Sequence, residues 1–446
     1  MKPCTIILFG ATGDLAVRKI IPAIHDLMRT EKTHYRLIGV SREEVNPAFM
    51  LALARPYVNG MDEAVWNVLH ENSHFVTGDF QNKKTYKMIG DLLPEDGADN
   101  RLVYCATASE FFVPITQHLL ESHIIHRQDT EESVWHRIAY EKPFGSSGET
   151  AQAMELAIRA MLDESQVFCV DHFLAKKALL AFPVARMLDE SFNDLWMHGN
   201  LESIQIIMNE TSEVGIRGRY YDAYGALRDM VQNHALQAAA LLLMNDPALG
   251  YPHVSQEKKD VLTAITAEDA ILGQYEGYVK NELVDSNSKT ETFAAIRLSA
   301  DLPQWEGVPI FIKTGKLLAT QKLVIHVMFR SNDTTRMADM PMAVIAFTDN
   351  SVALVIGENE IAESLTVTKG PEPDPNDALD AYGRVLEFLM QGDRTIFVSF
   401  EEIKHMWRII DALKAQDLPV YTYAKGSNGP AELEDFCKRN HMKWVL

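Results

Sequence analysis

The feature that most constrains the fold is an alternation, over the first 172 residues, of short β-branched runs with stretches of helical periodicity. The runs are predicted as strands at residues 5–9, 36–40, 74–77, 102–106, 137–141 and 166–171. Strands that alternate with helices are joined by right-handed crossovers and lie parallel in one sheet. The first part of the chain is therefore predicted to be a Rossmann-like, doubly wound α/β domain.

From residue 201 the pattern changes to longer alternating strands with few helices between them, which is typical of an antiparallel sheet. These strands are predicted at residues 203–208, 308–313, 323–329, 343–347 and 352–356. The Pro-rich residues 370–375 predict an exposed loop, followed by helices at 378–390 and 401–413. A chain of 446 residues exceeds one ordinary core. We predict the α/β domain at residues 1–175 and an α+β domain with a large, mainly antiparallel sheet at 176–446.

Composition excludes several classes of protein. A formal charge of −20 argues against nucleic acid as a partner, because affinity for phosphate backbones comes from clustered Lys and Arg. The four cysteines are scattered without a CxxC pair, which favours reduced thiols in the cytosol over disulfides or a metal site. The sequence contains no apolar run of about 18 residues, and its start enters a strand pattern at once. We therefore predict a cytoplasmic protein that binds neither membrane nor metal.

The first predicted strand leads into a glycine-containing turn, Gly10-Ala11-Thr12-Gly13-Asp14-Leu15-Ala16, and then into a helical pattern. Glycine lets the backbone approach a diphosphate, which then binds to N–H groups at the helix start. A plain turn is the alternative, because the full GxGxxG spacing is lacking. The position after the first strand favours dinucleotide binding. Pro22 predicts a kink or a late helix start.

The end of the second strand selects the cofactor. An acid there usually binds the ribose diol of NAD, whereas the phosphorylated ribose of NADP needs a cation. Ser41 and Arg42 follow Val40, and Thr12 offers a hydroxyl, so NADP is favoured. Glu43 and Glu44 come next and are interpreted as solvated charges. An inward turn of either acid would weaken the preference for NADP.

Residues 220–244 are predicted as one helix that is apolar after residue 234, apart from Gln237. A segment that is apolar all round belongs in an interior. Its first half nevertheless carries polar groups that need partners when buried, namely Arg228, Asp229, Gln232, Asn233 and His234. Buried titratable groups at this density indicate a functional site, and a satisfied structural network is the alternative.

Other chemically capable side chains follow predicted strands, at the edge where open parallel sheets bind ligands. Lys142 follows the fifth strand, and Asp171, His172 and Lys176 stand at the end of the sixth. Hydride transfer from a hydroxyl carbon requires a base, and an imidazole oriented by a carboxylate suits this role. His172 and His234 are candidate bases, with Asp171 and Asp229 as candidate orienting carboxylates. Spacing alone leaves the pairing open.

Several motifs together resemble the glucose-6-phosphate dehydrogenase family nearly from end to end. They include residues 10–16 with Arg18 and Lys19, the sequence EKPFG at 141–145, VDHFLAKK at 170–177, Glu210, residues 217–237, 307–309, 314–316, 380–382, 392–393 and 426–430.

The resemblance assigns roles to individual residues. It implies that His234 is the base and Asp171 its partner, and that His172 and Lys176 hold a sugar phosphate. Lys142 would touch the sugar near the nicotinamide. The remaining implied contacts are Glu210, Asp229, Lys316 and Lys19 to the substrate, and Gly10, Thr12, Gly13, Asp14, Leu15, Arg42 and Lys142 to NADP.

The implied reaction is oxidation of glucose 6-phosphate at C1 to a lactone with reduction of NADP, in the pentose phosphate pathway. The resemblance also implies a homodimer or homotetramer formed through the large sheet. Four residues depart from the family pattern: Phe173 for tyrosine, Ala175 for glycine, Lys177 for an acid and Gln321 for a basic residue. Loss of one hydroxyl donor is worth about 0.5 to 1.5 kcal/mol. The alternatives are a dehydrogenase of another hexose phosphate or free sugar, and a non-catalytic NADP-binding relative.

Overall fold

The computed structural model describes residues 4–94, 99–128, 134–188, 190–197, 199–248, 250–330, 342–346, 351–355 and 379–445. The chain divides into two compact units, Met1–Ala175 with Pro373–Phe400, and Lys176–Glu372 with Glu401–Leu446. The two domains proposed at 1–175 and 176–446 stay a prediction. The contacts add that a late segment of the chain returns to the first unit.

The first unit contains a seven-stranded sheet. Its strands in chain order are β1 (Cys4–Phe9), β2 (Tyr35–Ser41), β3 (Ser73–Thr77), β4 (Asn100–Cys105), β5 (His136–Glu141) and β6 (Val167–Val170), with β14 (Phe397–Val398) from the returning segment. The spatial order is β14-β6-β5-β4-β1-β2-β3. Strands β1 to β6 pair in parallel, which confirms the predicted doubly wound sheet, and β14 lies antiparallel to β6.

Helices surround this sheet, and all six residues of β1 are buried, as expected for a parallel strand covered on both faces. The helices are α1 (Ile21–Glu31), α2 (Pro47–Ala54), α3 (Glu63–Glu71), α4 (Lys83–Gly90), α5 (Phe112–Glu121) and α6 (Gly148–Met161), with α12 (Ala381–Gln391). A π-helical turn, Ala16–Ile20, precedes α1, in which Pro22 occupies the first turn. Helical residues already begin at Asp14, so the late helix start predicted from Pro22 is wrong; the irregularity that accompanies Pro22 is the π-helical turn directly before α1.

The second unit contains an eight-stranded sheet. Its strands are β7 (Leu201–Asn209), β8 (Ile265–Tyr275), β9 (Phe293–Ala300), β10 (Ile310–Gly315), β11 (Lys322–Phe329), β12 (Met342–Ala346), β13 (Ser351–Val355) and β15 (Val420–Tyr423). The order is β13-β12-β11-β7-β10-β9-β8-β15. The pairs β7–β10 and β8–β15 are parallel and the others antiparallel, which confirms a mainly antiparallel sheet.

The helices of the second unit are α7 (Lys177–Leu188), α8 (Glu190–Trp196), α9 (Gly218–Ala226), α10 (Leu236–Leu243), α11 (His253–Ala264), α13 (Phe400–Lys414) and α14 (Leu433–Arg439). Helix α13 begins at the last residue of the first unit. A π-helical segment, Leu227–Ala235, connects α9 to α10, and we call it the helix head. The prediction of one unbroken helix over residues 220–244 is wrong, because Gly225 has φ 68° and ψ 179°.

The structure gives no support for a membrane-spanning helix: among the described residues, no helix combines the length and the apolar character needed to cross a bilayer. The Pro-rich residues 370–375 lie outside the described residues. The same holds for the predicted strand ends at 347 and 356 and the helix start at 378.

Candidate active site

The glycine turn after β1 has the backbone shape that the sequence predicts. Gly10 has φ 79°, and a Cβ there would lie 2.4 Å from the carbonyl oxygen of Ala106, so only glycine fits. The N–H of Gly10 donates to the Val40 carbonyl at 2.9 Å, and that of Gly13 to the Gly10 carbonyl at 2.9 Å. This arrangement fits a dinucleotide, because the turn leaves no side chain between the backbone and a diphosphate.

Asp14 and Leu15 occupy the start of the first helical turn. The Asp14 carboxylate forms an ion pair with Arg18, with Oδ1 2.7 Å from Nε, and both side chains are exposed. Leu15 immediately precedes the π-helical turn, as its N-cap, with helical backbone angles. Both predicted cofactor residues therefore lie on the turn, and Asp14 also neutralises a nearby cation.

The end of β2 brings together Thr12, Ser41, Arg42 and Glu43, which we call the β2 corner. The Thr12 and Ser41 hydroxyls donate to Glu43 Oε2 at 2.7 and 2.5 Å, and the two hydroxyl oxygens lie 2.7 Å apart. These two bonds lower the pKa of Glu43. Glu43 remains exposed, but its carboxylate turns inward, so its interpretation as a solvated charge is corrected.

Arg42 lies at the outer edge of the β2 corner. Its guanidinium carbon is 5.4 Å from the ring centroid of Phe111 and 6.0 Å from that of Phe80. Its Nε is 3.7 Å from Asp79 Oδ2, and both side chains are about half exposed, which makes the ion pair weak. Arg42 is therefore held mainly against aromatic faces and is available to an anion.

The end of β5 carries a buried acid beside Lys142. The Tyr104 hydroxyl donates to Glu141 Oε1 at 2.6 Å, and both residues are buried. Burial raises the pKa of Glu141 to about 7, although the Tyr104 bond and the charge of Lys142 oppose this shift. Lys142 itself is half-buried. The Tyr104–Glu141 contact joins neighbouring strands, so sequence order gave no signal of it.

The chain leaves β6 in a turn and not in the continued strand that was predicted to residue 171. The carbonyl of Asp171 accepts from the N–H of Leu174 at 3.0 Å, and that of His172 from Ala175 at 3.2 Å. Asp171 is 1% exposed, and its Oδ1 accepts from the Phe173 N–H at 3.0 Å. This turn fixes the Asp171 carboxylate to its own backbone.

The returning segment of the first unit supports this turn. The imidazole of His172 stacks on the ring of Tyr382, with centroids 5.1 Å apart and planes 17° apart. Arg384 Nε donates to the Ala175 carbonyl at 2.7 Å. Tyr382 and Arg384 were not among the predicted site residues, although Tyr382 belongs to a motif that carried the resemblance.

Lys19 approaches the start of α12. Its Nζ lies 3.8 Å from Asp380 Oδ2, and each side chain is 53% exposed. Asp380 Oδ1 also caps α12 by accepting from the N–H groups of Tyr382 and Gly383, each at 2.9 Å. In the first unit the structure thus brings Lys19 and His172 to one helix start.

The residues that depart from the family pattern differ in burial and in the contacts they make. Phe173 and Ala175 are buried. Gln321 Oε1 accepts from the N–H of Thr211 at 3.1 Å. Lys322, the neighbouring cation, donates to the Val445 carbonyl at 3.2 Å and is thereby directed to the C-terminal segment.

In the second unit Lys316 and Glu210 form a close ion pair. Lys316 Nζ lies 2.6 Å from Glu210 Oε2 and 5.5 Å from the ring centroid of Tyr221. Their backbones are also fixed, because the Glu210 N–H donates to Gly315 and the Lys316 N–H to Thr292, both at 2.9 Å. The structure therefore brings two predicted sugar contacts together at the ends of β7 and β10.

The helix head carries the remaining predicted residues. Asp229 and His234 are 4% and 5% exposed, so both are buried as predicted. The Tyr220 hydroxyl donates to Asp229 Oδ1 at 3.2 Å, and Asn233 Nδ2 donates to the Arg228 carbonyl at 3.0 Å. A π-helical segment leaves backbone groups to be bonded in this way and often marks a functional site.

The start of the helix head is fixed by Glu291, which sequence reasoning missed. Its carbonyl accepts from the Ala226 N–H at 2.9 Å, and its Oε1 accepts from the Leu227 N–H at 3.0 Å. A Cβ at Gly225 would meet this carboxylate, so the glycine leaves room for it. Burial raises the pKa of Glu291.

Of the predicted residues, the first unit holds the nucleotide turn, Arg42, Lys19, Lys142, Asp171 and His172. The second unit holds Lys176, Glu210, Asp229, His234 and Lys316. Lys176 directly precedes α7, and its carbonyl accepts from the N–H of Leu179 at 3.0 Å. The pairing of Asp171 with His234 stays a prediction.

Comparison with known proteins covers nearly the whole chain. The family model described as "Glucose-6-phosphate dehydrogenase, NAD binding domain" matches residues 7–180, and "Glucose-6-phosphate dehydrogenase, C-terminal domain" matches residues 183–445. A glucose-6-phosphate 1-dehydrogenase of Chlamydia muridarum is 29% identical, over 99% of this chain and 96% of the relative. The cytoplasmic isoform of Solanum tuberosum is 29% identical, over 97% and 90%.

A solved structure shows the same similarity in three dimensions. It is described as glucose-6-phosphate dehydrogenase in complex with its substrate glucose-6-phosphate. It has a TM-score of 0.85 and 25% identity, and the match covers 100% of this chain and 99% of the other.

Proposed function

Because the chain belongs to the glucose-6-phosphate dehydrogenase family, it is an oxidoreductase that oxidises glucose 6-phosphate with NADP, and we propose that His234 is the base of this reaction. The product is the lactone formed at C1, within the pentose phosphate pathway. NADP, when bound, accepts the hydride that leaves C1. The protein's part is to hold the sugar and remove the hydroxyl proton.

The proton of the C1 hydroxyl passes to a ring nitrogen of His234, which becomes an imidazolium. Asp171 accepts a hydrogen bond from the other ring nitrogen, which selects the reactive tautomer and stabilises the positive charge. Two observations support these roles. His234 is buried in the helix head, and the Asp171 carboxylate is buried and oriented by the Phe173 N–H.

The sugar phosphate is bound by Lys176, which supplies a positive charge, and by His172, which supplies a further hydrogen-bond donor. The stacked ring of Tyr382 supports the orientation of His172. Lys142 is assigned to the sugar near the nicotinamide. A protein with a formal charge of −20 needs local basic groups to bind an anionic substrate, and these assignments supply them.

The remaining sugar contacts are Glu210, Asp229, Lys316 and Lys19. The Lys316–Glu210 pair supports this role, because a carboxylate beside an ammonium presents both an acceptor and donors to a polyol. The nucleotide is held by Gly10, Thr12, Gly13, Asp14, Leu15, Arg42 and Lys142. The steric requirement for glycine at residue 10 supports this part.

The observation that carries the assignment of the base is the burial of His234, at 5% exposure, at the head of an apolar helix. The test of the reaction is absorbance at 340 nm with purified protein, NADP, and either glucose 6-phosphate, glucose or other hexose phosphates. Formation of NADPH with glucose 6-phosphate is the expected result.

The second candidate is a dehydrogenase of another hexose phosphate or a free sugar. It is favoured by Phe173, which removes a hydroxyl from the phosphate-binding motif, and by Gln321, which replaces a cation. Turnover of another sugar without turnover of glucose 6-phosphate would establish this candidate. An absence of turnover with every sugar would indicate the non-catalytic relative.

The protein is further proposed to act in the cytoplasm as a homodimer or homotetramer formed through its large sheet. The similarity to the cytoplasmic isoform of Solanum tuberosum supports the location. Light scattering on the eluting peak of a size-exclusion column measures the mass directly. A mass of one chain, 50.2 kDa, would contradict the oligomer.

A further inference from the structure

The β2 corner combines two features that normally belong to different cofactors. Arg42 and the Thr12 hydroxyl suit the phosphate on the adenosine ribose of NADP. A carboxylate at the end of the second strand suits the free diol of NAD, because it accepts hydrogen bonds from the hydroxyls. Glu43 puts such a carboxylate into the same corner.

The geometry directs Glu43 to this position. Its Oε2 accepts from the hydroxyls of Thr12 and Ser41, at 2.7 and 2.5 Å, and those two oxygens are 2.7 Å apart. A hydroxyl donor on one side of this carboxylate leaves other lone pairs of the same group for a ribose hydroxyl. The ribose diol is thus a chemical match for a group that already accepts from two alcohols.

The charges around the corner also favour an unphosphorylated ribose. Among residues 42–44 and Asp79, one cation stands beside three acids, and Arg42 Nε is 3.7 Å from Asp79. A phosphate monoester carries more than one negative charge at neutral pH. Before it could approach Thr12, the Glu43 carboxylate would have to turn outward.

We propose that Glu43 is a specificity-determining residue that binds the adenosine ribose diol, so that this protein takes NAD as well as NADP. With NAD, the diol donates to Glu43, and the hydroxyls of Thr12 and Ser41 keep the carboxylate in place. With NADP, Glu43 turns to solvent, and Thr12, Ser41 and Arg42 donate to the phosphate. The exposure of Glu43 allows both arrangements.

This inference extends the proposed function to a second cofactor, and its test does not depend on turnover. Isothermal titration calorimetry with 5′-AMP and with 2′,5′-ADP measures the two adenosine halves directly. The preference is the ratio of the two dissociation constants. We expect the unchanged protein to bind 2′,5′-ADP less than about tenfold more tightly than 5′-AMP, a difference under about 1.4 kcal/mol.

Glu43→Gln removes the negative charge and keeps a side chain of the same length. We expect it to raise the preference for 2′,5′-ADP by about tenfold or more, because a charge-assisted acceptor for the diol is lost and repulsion of the phosphate is relieved. Glu44→Gln is the matched control, since it removes the same charge one residue later, and its preference stays within about twofold of the unchanged protein, a difference under about 0.4 kcal/mol.

Arg42→Ala tests the other side of the corner. It should weaken 2′,5′-ADP and leave 5′-AMP nearly unchanged. With NAD, NADP and glucose 6-phosphate, the ratio of kcat/KM values should move in the same direction as the binding ratio. An equal preference in Glu43→Gln and the unchanged protein would overturn the inference, as would an unchanged protein that does not bind 5′-AMP. A shift in binding without any sugar turnover would contradict the proposed function and leave the role of Glu43 intact.

Discussion

The β2 corner and the helix head use polar side chains in opposite ways. In the β2 corner, Arg42 and Glu43 are exposed, and their charged groups contact other side chains. In the helix head, Asp229 and His234 are buried within a segment whose start is fixed by backbone bonds. Exposed contacts exchange with water at little cost, whereas breaking buried ones leaves unsatisfied groups. This contrast fits the roles proposed for the two regions, the β2 corner in selecting the cofactor and the helix head in holding the base.

The strongest test of this comparison replaces the proposed base. His234→Ala should lower kcat by about 100-fold or more, the effect of losing a general base, while NADP binding stays nearly unchanged. Initial rates at 340 nm and calorimetry with NADP measure the two quantities. His70→Ala changes an exposed histidine of α3 and is the matched control. Wild-type turnover by His234→Ala would contradict the assignment.

Buried Glu141 extends the comparison to pH. Its pKa is about 7 in the folded protein and near 4.5 when unfolded, so the folded protein holds the proton more tightly. Its contribution to stability is full below pH 4.5 and is lost as pH rises to about 7; the total is on the order of 3 kcal/mol. Glu141→Gln should remove this fall, as measured by urea unfolding at several pH values. Parallel pH profiles for the two proteins would refute the prediction.

Tyr104→Phe sharpens the same test. The Tyr104 hydroxyl donates to the Glu141 carboxylate and so lowers its pKa. Without that donor, the pH range over which stability is lost should extend upward. A range that moves downward would show that the hydroxyl favours the protonated acid.

Removal of the Glu291 side chain, which fixes the start of the helix head, should have the next largest effect on stability and activity. Glu291→Ala leaves the Leu227 N–H without its acceptor, which costs about 1–3 kcal/mol of unfolding free energy, and should lower kcat by displacing His234. Glu291→Gln keeps an oxygen acceptor and should retain most of both. Glu282→Ala is the control, because Glu282 is exposed and, like Glu291, lies in the connection before β9. Equal losses of stability in the alanine and glutamine variants would point to the charge and not to the acceptor.

The smallest effect is expected at the exposed Lys19–Asp380 contact. Lys19→Ala should change the unfolding free energy by less than about 0.5 kcal/mol, because both side chains are solvated. Asp380→Ala should cost about 1 kcal/mol, since it also removes the N-cap of α12. Denaturant unfolding separates the two. A larger loss for Lys19→Ala would show that the ion pair, and not the cap, stabilises this helix start.

The sequence pattern predicted those strands and turns that depend on residues close to one another in the chain. The β-branched runs located β1 to β6, and the glycine-containing turn located the end of β1 and the start of the helix after it. The unbroken helix over 220–244 failed at Gly225, because a helical pattern does not reveal the carboxylate of Glu291, 66 residues later, that requires the break. Strands β8 and β9 were likewise not predicted.

Contacts between distant segments explain the rest. The inward turn of Glu43 depends on Thr12, and the support of the Asp171–Ala175 turn depends on Arg384. Sequence order gives the residue types at these positions but not their directions. The resemblance supplied the roles of His234 and Asp171, which spacing alone left open.

A double-mutant cycle determines whether His234 and Asp171 act as one unit. The values of kcat/KM for glucose 6-phosphate are measured for the unchanged protein, Asp171→Asn, His234→Ala and the double variant. We expect strong non-additivity, with the double variant about as slow as His234→Ala, because Asp171 is proposed to act only through the imidazole. Losses that simply add would show that the two residues act independently and that Asp171 is not the partner of His234.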